Sequence, residues 1–259
     1  MDILKVGYMS WKEYNKVAKS GAPLMLPVGS IEQHGFHLPL LTDTILSTKL
    51  CEKIAPEINA YIAESWVYGT RSDLYSGGGE NYPGTISLEP KTVINISHGV
   101  LNEFVIDGFK KFIILNGHFE NAHLLRESCR KITTSNRDVR IIFLNWWDFL
   151  DTNILEKFYP RPFPGMDLEH SGVLETSLMM YLSPECVNHE CINKESFPRK
   201  NAKKPGFEIY PEKLSLNISA SGCLSSPQGS NDRIGQIIYE SVLKGIKAAL
   251  PNLFHGENL

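Results

Sequence analysis

Short apolar runs that alternate with amphipathic helical segments are the feature that most restricts how this chain can fold. The runs are bounded by Gly, Pro or Asn and are short enough for buried strands; they cover residues 23–29, 60–68, 111–116 and 139–145. Apolar residues recur at helical spacing over residues 45–58, 92–109 and 122–134. Because strands that alternate with helices are typical of crossover units, the pattern predicts an α/β fold around a mainly parallel sheet.

The part of the chain from residue 184 to 230 lacks this alternation. It is rich in Asn, Lys, Pro, Ser and Gly, and it precedes a last amphipathic segment over residues 232–250. We interpret it as a long excursion or hairpin. With 259 residues, 42% of them hydrophobic, one large core is simpler than two small ones, so we predict a single domain over residues 1–259.

The charge balance argues against a polyanionic partner. The formal net charge is -3, whereas DNA or RNA binding demands clustered Lys and Arg. One basic cluster, Arg199, Lys200, Lys203 and Lys204, has no interleaved aromatic residues and lies in a Pro-containing stretch, which favours a solvated loop. The chain is therefore expected to act on a small molecule and to bind no nucleic acid.

The cysteines and the N-terminus predict a cytoplasmic protein. Five cysteines form no CxxC pair, so neither a disulfide framework nor a cysteine zinc site is indicated. The first residues lack a basic start followed by a long apolar run, and no stretch of about 18 uncharged apolar residues could span a membrane.

A first polar cluster follows the first apolar run, in GSIEQHGFHLPLLTD, and contains Glu32, His34, His37 and Asp43. Open α/β sheets bind ligands at the carboxyl ends of their strands. Glu32 and His34 are two apart, so in extended backbone they project to the same side. Taken alone, a polar surface loop explains this pair, and the N-cap of a helix beginning at Ile45 explains Asp43 better than a ligand does.

A second, matching cluster changes that balance, because His118 and Glu120 follow the third apolar run in FIILNGHFEN. Together the clusters offer two imidazoles and three carboxylates, a set that suits Zn²⁺ or Mn²⁺. Five ligands exceed what one catalytic ion usually takes, whereas two ions sharing one carboxylate use them all. Two such ions, roughly 3.5 to 4 Å apart, polarise a carbonyl and activate water, which is hydrolytic chemistry.

A third cluster, in GMDLEHSGVLETSLMM, contains Asp167, Glu169, His170 and Glu175. His170 is a candidate general acid or base because an unperturbed imidazole has a pKa of about 6.5. The alternative is a satisfied histidine at a helix N-terminus. Glu175 lies inside the predicted helix and either caps it or holds a ligand histidine in place.

A glycine-rich stretch, SGGGENYPGT, covers residues 76–85. It has no GK[ST] continuation and does not match GxGxxG, so it is not a phosphate loop. Its glycines could let backbone N–H groups approach a compact substrate closely, and an ordinary tight loop explains them equally well.

In this order, the three clusters, the glycine-rich stretch and NWWDF resemble the creatininase (creatinine amidohydrolase) family over nearly the whole chain. The resemblance implies a layered α/β/α sandwich with a central parallel sheet, zinc or manganese ions, and a homohexamer. It also implies that one metal is held by Glu32, Asp43 and His118. The other would be held by His34, Asp43 and Glu120, with Asp43 bridging.

The resemblance further implies roles around the reacting atoms. His170 would handle the substrate proton during ring opening, with Glu169 beside it, and Trp147 would cover the bound ring. The catalytic residues implied are Glu120, Glu169 and His170, and the substrate contacts are Ser76, Gly77, Gly78, Phe119, Trp147, Met166 and Asp167.

Two positions depart from the family member that hydrolyses creatinine. It has a tryptophan where this chain has Met166 and a tyrosine where this chain has Phe119. Met166 can still cover a ring, but it offers no indole N–H, and Phe119 lacks a hydroxyl. We expect the metal chemistry to survive both changes, while the substrate depends on them.

Other functions are consistent with parts of this pattern. A relative in the same superfamily could act on a formamide of a pyrimidine or on a keto-cyclitol. A sugar- or nucleotide-binding module without catalysis could use the glycine-rich stretch alone. A serine or cysteine hydrolase is poorly supported, since the chain has no GxSxG and no cysteine lies in the clusters.

Overall fold

A four-stranded parallel sheet with helices on both faces forms the structure, a computed structural model that describes residues 4–72, 79–159, 163–194 and 219–254. The strands are β1 (Leu24–Val28), β2 (Tyr61–Ile62), β3 (Lys111–Asn116) and β4 (Arg140–Asn145). The helices are α1 (Trp11–Ala18), α2 (Thr42–Ile54), α3 (Pro90–Asp107), α4 (Asn121–Ser135), α5 (Thr152–Phe158), α6 (Val173–Leu182), α7 (His189–Ile192), α8 (Asp232–Ala249) and α9 (Pro251–Phe254). Short 3-10 turns cover Val6–Tyr8, Ala55–Ile58, Gly79–Asn81, Trp146–Phe149, Met166–Leu168 and Pro184–Cys186.

The strand order is β2-β1-β3-β4, and every pairing between these strands is parallel. Leu24 is opposite Phe112 and Val28 is opposite Asn116, so β1 and β3 end side by side at the same edge of the sheet. The α/β class with a mainly parallel sheet is confirmed. Both β1 and residues 112–115 of β3 are continuously apolar, as is typical of parallel strands that are covered on both faces.

Alternate strand residues pack against different helix layers. Leu24 and Ile114 belong to one core with residues of α1, α3 and α4. Met25 and Ile113, their neighbours in the chain, belong to a second core with residues of α2, α6 and α8. This period of two divides the apolar side chains between the two faces and confirms the layered α/β/α arrangement.

The predicted strand over residues 60–68 is shorter in the structure than in the sequence pattern. Ala63 donates to the Met25 carbonyl, and the pairing resumes where Trp66 donates to the Pro27 carbonyl. The backbone of Pro27 therefore faces β2, and its ring nitrogen has no hydrogen to donate there. The ladder loses a bond beside Glu64, which limits β2 to Tyr61–Ile62.

The N-cap interpretation of Asp43 is wrong. A turn in which Thr42 donates to the Pro39 carbonyl starts α2 at Thr42, earlier than the predicted Ile45, and the N-cap residue is Leu41. Asp43 is the second residue of the helix, and its carboxylate is directed to other groups.

In the excursion over residues 184–230, the structure describes α7 and an irregular segment from residue 219 onward. The basic cluster at residues 199–204 lies outside the described residues. Among the helices of the described ranges, none is long and apolar enough to cross a membrane. The predicted last helix over residues 232–250 is confirmed as α8.

Candidate metal centre and active site

The first two polar clusters meet at the edge of the sheet where β1 and β3 end. The loop after β1 carries Glu32, His34 and Asp43, and the turn after β3 carries His118 and Glu120. Four of these side chains are fully buried, with no residue more than 2% exposed, and only Glu120 is partly exposed. The five side chains that the sequence proposes as ligands are therefore brought together in the interior.

Glycines at the strand ends allow this close approach. Gly117 follows β3, and a Cβ there would collide with the Asp43 carbonyl oxygen. Gly29 follows β1, and a Cβ there would overlap the backbone of Thr44. Only glycine lets the first turn of α2 pack directly on both strand ends, and this packing brings Asp43 to the centre of the cluster.

Asp43 presents a different oxygen to each histidine. Its Oδ1 lies 3.0 Å from Nε2 of His34, and its Oδ2 lies 3.0 Å from Nδ1 of His118. Oε2 of Glu32 lies 3.1 Å from the same His118 nitrogen. Glu32, Asp43 and His118 form a group of three that could hold a metal ion, and Asp43 extends from this group to His34.

Backbone carbonyls set the tautomers of both histidines. Nδ1 of His34 lies 3.0 Å from the Glu32 carbonyl oxygen, and Nε2 of His118 lies 3.1 Å from the Thr70 carbonyl oxygen. Since each of these nitrogens donates its hydrogen to a carbonyl, the other nitrogen of each ring, which faces the carboxylates, is the one that can take a metal ion or a second proton. Lone pairs that face carboxylate oxygens repel unless a cation lies between them. The donor set therefore fits a divalent metal ion.

The carboxylates of the cluster also attract positive charge to the two histidines. Burial alone lowers the pKa of His34, but the charges of Asp43 and Glu175 outweigh it and raise this pKa well above its usual value. Burial likewise lowers the pKa of His118, and the charge of Glu32 and the hydrogen bond to Asp43 raise it further than burial lowers it. The carboxylates thus favour a cation at each ring nitrogen.

The two buried carboxylates remain ionised for the same reason. Burial raises the pKa of Glu32, but the positive charges of His170 and His118 lower it to about 2. For Asp43, burial again raises the pKa, and the charge of His34 with hydrogen bonds from both histidines holds it below its usual value. Negative charge is present at neutral pH, as a metal ligand requires.

Polar side chains outside the set of residues predicted from the sequence hold these ligands in position. Asn121 donates to the Gly29 carbonyl over 3.0 Å and accepts from the Thr70 N–H over 2.9 Å, which fixes the carbonyl that binds His118. Ser72 donates its hydroxyl hydrogen to Glu32 Oε1. Asn121 belongs to the motif NGHFEN and could have been proposed from it, whereas nothing near Ser72 marks its role.

The second implied ligand set is only partly assembled. Glu120 Oε2 lies 3.4 Å from Nε2 of His118. The structure groups His34 with His170 and Glu175, and Glu175 Oε2 is 3.6 Å from Nε2 of His34. A set formed by His34, Asp43 and Glu120 therefore stays a prediction.

The third cluster packs against the same centre. The rings of His34 and His170 lie 4.5 Å apart at 45°, and both are buried. Glu175 accepts from the N–H of Ser171, which lies before α6, over 2.7 Å, and it also faces His34; it thus adjoins a candidate ligand and does not cap the helix. His37 of the first cluster is directed elsewhere, 2.8 Å from the Thr176 hydroxyl.

Glu169 is a buried acid of another kind. Its Oε1 accepts from the Tyr159 hydroxyl over 2.7 Å and from the Leu174 N–H over 2.8 Å. Burial and the nearby charge of Glu175 raise its pKa to about 8. Around neutral pH this carboxyl group holds its proton in the folded protein, unlike Glu32.

Aromatic side chains form one wall of the cavity beside these groups. Phe119 and Trp147 stack with ring centroids 5.9 Å apart at 25°, and Trp146 meets Trp147 edge-on at 5.4 Å. Met166 lines the same cavity, while Asp167 does not, although both lie in the short helix Met166–Leu168. Such a wall offers aromatic surface to a bound molecule.

The glycine-rich stretch approaches Glu32 at Gly79, the third of its four glycines. A Cβ at Gly79 would lie 2.7 Å from Glu32 Oε1, so no larger residue fits there. Ser76, Gly77 and Gly78 lie outside the described residues, and their predicted substrate contacts stay predictions.

Comparison with known proteins agrees with this geometry. A family model described as creatinine amidohydrolase matches residues 7–250. Creatinine amidohydrolase from Pseudomonas putida is 34% identical over 256 residues, 96% of this chain and 96% of that protein. A solved creatininase structure in a manganese form has a TM-score of 0.88 at 33% identity and covers 97% of this chain and 99% of that one.

Other similar proteins carry zinc or another activity in their names. A mutant creatininase of Zn–Zn type has a TM-score of 0.88 at 32% identity and covers 98% of this chain and 99% of that one. 3-dehydro-scyllo-inosose hydrolase from Thermotoga maritima is 28% identical over 182 residues, 70% of this chain and 57% of that protein. The similarity thus includes hydrolases named for different substrates.

Proposed function

This chain belongs to the creatininase family, and we propose that it hydrolyses creatinine, or a cyclic amide of similar size, to the ring-opened product. That it is a metal-dependent hydrolase acting on amide bonds follows from the family and from the buried donor set. The choice of a cyclic amide is our proposal. The observation that carries the metal centre at which this hydrolysis would take place is Asp43, whose two oxygens each face a different candidate ligand, 3.0 Å from His34 and 3.0 Å from His118.

We propose two divalent ions per chain, zinc or manganese. Glu32, Asp43 and His118 would hold one, and His34, Asp43 and Glu120 would hold the other, with Asp43 shared. Ions bound there supply Lewis-acid chemistry, because they polarise a carbonyl group and make water nucleophilic near neutral pH. The tautomers set by the carbonyls of Glu32 and Thr70 support this assignment.

The chain's own side chains would orient the substrate and move its protons. Trp147 and Phe119 would bind the flat ring against their faces, with Met166 closing the cavity from another side. Glu120 would orient the attacking water. His170, with its ring 4.5 Å from that of His34, would give a proton to the departing nitrogen, and Glu169 beside it would keep the local charge low by holding its own proton. Substrate contacts from Ser76, Gly77, Gly78 and Asp167 belong to the same proposal.

The test is creatinine turnover with metal analysis on one preparation. We expect about two Zn or Mn ions per chain and measurable ring opening. Glu120→Gln should abolish turnover and lower metal content, whereas the matched control Glu103→Gln, an exposed glutamate on α3, should change neither. Full activity of a metal-free Glu120→Gln protein would overturn the proposal.

A second candidate is hydrolysis of another small substrate by the same centre, such as a keto-cyclitol or a formamide of a pyrimidine. The similarity to 3-dehydro-scyllo-inosose hydrolase favours considering it, as do Met166 and Phe119 at the substrate wall. Side-by-side assays of these compounds and creatinine, at equal metal loading, decide between the two. A higher kcat/KM on a keto-cyclitol would replace creatinine as the substrate class.

We also propose a homohexamer of single-domain chains in a reducing compartment such as the cytoplasm. The hexamer rests on the family resemblance, and exposed apolar side chains such as Phe36, Leu40 and Leu41 give it a surface to bury. All five cysteines are free thiols, as a reducing compartment favours. Light scattering on the purified protein measures the assembly directly, and a monomer would contradict it.

A further inference from the structure

The residue between the candidate ligands Glu32 and His34 is directed to a third part of the site. Gln33 is 4% exposed, and its side chain enters the interior toward His170, which is 6% exposed. The two residues are 137 positions apart in the chain. Nothing in the metal chemistry above uses Gln33, although it is held between two ligands.

Gln33 contacts one nitrogen of His170 twice. Its backbone carbonyl oxygen lies 2.8 Å from Nε2 of His170, and its side-chain Nε2 lies 2.8 Å from the same nitrogen. The carbonyl accepts a hydrogen if His170 Nε2 carries one, and the amide donates if that nitrogen is bare. In either tautomer the nitrogen has a partner.

The glutamine side chain is itself anchored at both ends of its amide. Its Nε2 donates to the Gly222 carbonyl over 3.0 Å, and its Oε1 accepts from the Gly35 N–H over 3.1 Å. Gly222 has φ +94°, and a Cβ there would collide with the Gln33 amide. The segment after residue 219 therefore fits around this side chain, which has little freedom to rotate.

We propose that Gln33 is a positioning residue: it fixes the ring of His170 through Nε2, so that Nδ1 is the nitrogen that serves the reacting atoms. The role of His170 rests on the proposed function, whereas the contact between Gln33 and His170 Nε2 rests on geometry alone. Both contacts between Gln33 and the His170 ring are made through Nε2. The loop that carries metal ligands thereby also orients the proton-transfer group.

The kinetic test compares Gln33→Met, which keeps the length and removes the amide, with Gln236→Met, the same change on the exposed face of α8. We expect kcat of Gln33→Met to fall about 10- to 100-fold, the range typical of residues that hydrogen-bond to the groups of a metal site. The KM should stay within about threefold of the parent value, and the metal content should be unchanged. Gln236→Met should behave as the parent protein. An unchanged kcat in folded, metal-loaded Gln33→Met would overturn the proposal.

A second variant covers the case in which Gln33→Met loses metal. Gly222→Ala keeps every residue of the ligand loop but displaces the Gln33 amide, so it should lower kcat by a similar factor with full metal content. Combining it with Gln33→Met should add little, because both remove one contact. Full kcat in metal-loaded Gly222→Ala would show that Gln33 does not position His170. A double variant whose loss of kcat is the product of the two single losses would show the same.

A substrate-independent measurement separates this proposal from the proposed function. Imidazole ¹⁵N spectra, with His170 assigned through His170→Asn, should show a hydrogen-bonded Nε2 that changes in Gln33→Met and not in Gln236→Met. If the parent protein opens no cyclic amide, the proposed function fails, but these spectra still test whether Gln33 positions the His170 ring. Identical His170 signals in the parent and in Gln33→Met would show that Gln33 does not position the ring.

Discussion

The interior of the sheet and its carboxyl edge are equally buried, but they are held together by opposite means. Leu24, Ile113 and Leu115 are fully buried among apolar side chains, where burial itself is stabilising. Asp43 and His118 are 2% exposed, yet a charge removed from water is costly unless a counter-charge meets it. Depth alone therefore does not tell which region stabilises the fold. The apolar interior of the sheet is stabilised by the chain's own side chains, whereas the buried carboxylates at the edge need a positive counter-charge.

The largest effect we expect comes from the edge. Asp43→Asn removes the charge shared between the histidines, so turnover should fall on the order of 10³-fold or more and metal content should drop. The far-ultraviolet circular dichroism should stay that of the parent protein. Asp138→Asn, at an exposed ion pair with Lys110, serves as the control. Retained metal and turnover in Asp43→Asn would erase the distinction between the two regions.

In the interior of the sheet we expect the reverse, a loss of stability without a loss of turnover. Ile113→Ala leaves a cavity in the sheet, which should lower the free energy of unfolding by about 2 to 5 kcal/mol while kcat of the folded protein stays close to that of the parent. Ile106→Ala, at a side chain that is 67% exposed, should cost far less. Denaturant unfolding and steady-state kinetics on the same samples measure both. A large loss of kcat in Ile113→Ala would mean that the regions are coupled.

Metal removal should act on the edge alone. Chelation takes away a ligand of the native state, which is worth about 2.7 kcal/mol when the ion is present at 100 times its Kd, so Tm should fall by roughly 5 to 10 °C. Zn²⁺ or Mn²⁺ should restore it. The destabilisation of Ile113→Ala should persist with and without metal. A Tm that ignores chelation would argue that protons alone satisfy the buried carboxylates.

A pH-dependent effect on stability is expected at Glu169, whose pKa of about 8 lies above its ordinary value near 4.5 because of burial and the charge of Glu175. Between these two values the folded protein binds a proton that the unfolded chain has released, so this group's contribution to stability falls as pH rises from about 4.5 to 8. The slope is at most about 1.4 kcal/mol per pH unit.

Glu169→Gln abolishes that proton linkage, while its amide oxygen can still accept from Tyr159 and Leu174. Relative to the parent protein, the variant should therefore gain stability as pH rises across this window. Denaturant unfolding at a series of pH values measures the difference, with the exposed Glu103→Gln as the reference. Parallel pH profiles for Glu169→Gln and the parent would show that Glu169 titrates normally.

Much of the fold was predictable because its causes are local. Strands β1, β3 and β4 and helices α3, α4 and α8 lie within two residues of the apolar runs and helical segments that predicted them. One local pattern failed because of a contact with another element. The strand predicted over residues 60–68 was too long because Pro27 of the neighbouring strand offers it no N–H.

The candidate ligands were predictable for a related reason, since each cluster directly follows a strand whose end the sequence locates. The candidates His170 and Glu175 were also predicted from the sequence, but some groups that hold the ligands were not. Ser72 and the carbonyl of Thr70 enter the site through folding alone, and no residue pattern near them predicts it.

The sequence by itself determined that two clusters of carboxylates and imidazoles each follow an apolar strand of a mainly parallel sheet, because apolar periodicity and motif spacing are properties of the chain. That these two strands are neighbours was decided by the tertiary structure. The tertiary structure decided which oxygen of Asp43 faces which histidine, which ring nitrogen is free, and that Gln33 reaches His170. These details depend on hydrogen bonds only about 3 Å long between groups far apart in the chain, as Gln33 and His170 are. Only the packing of complete loops on the strand ends brings such groups within that distance.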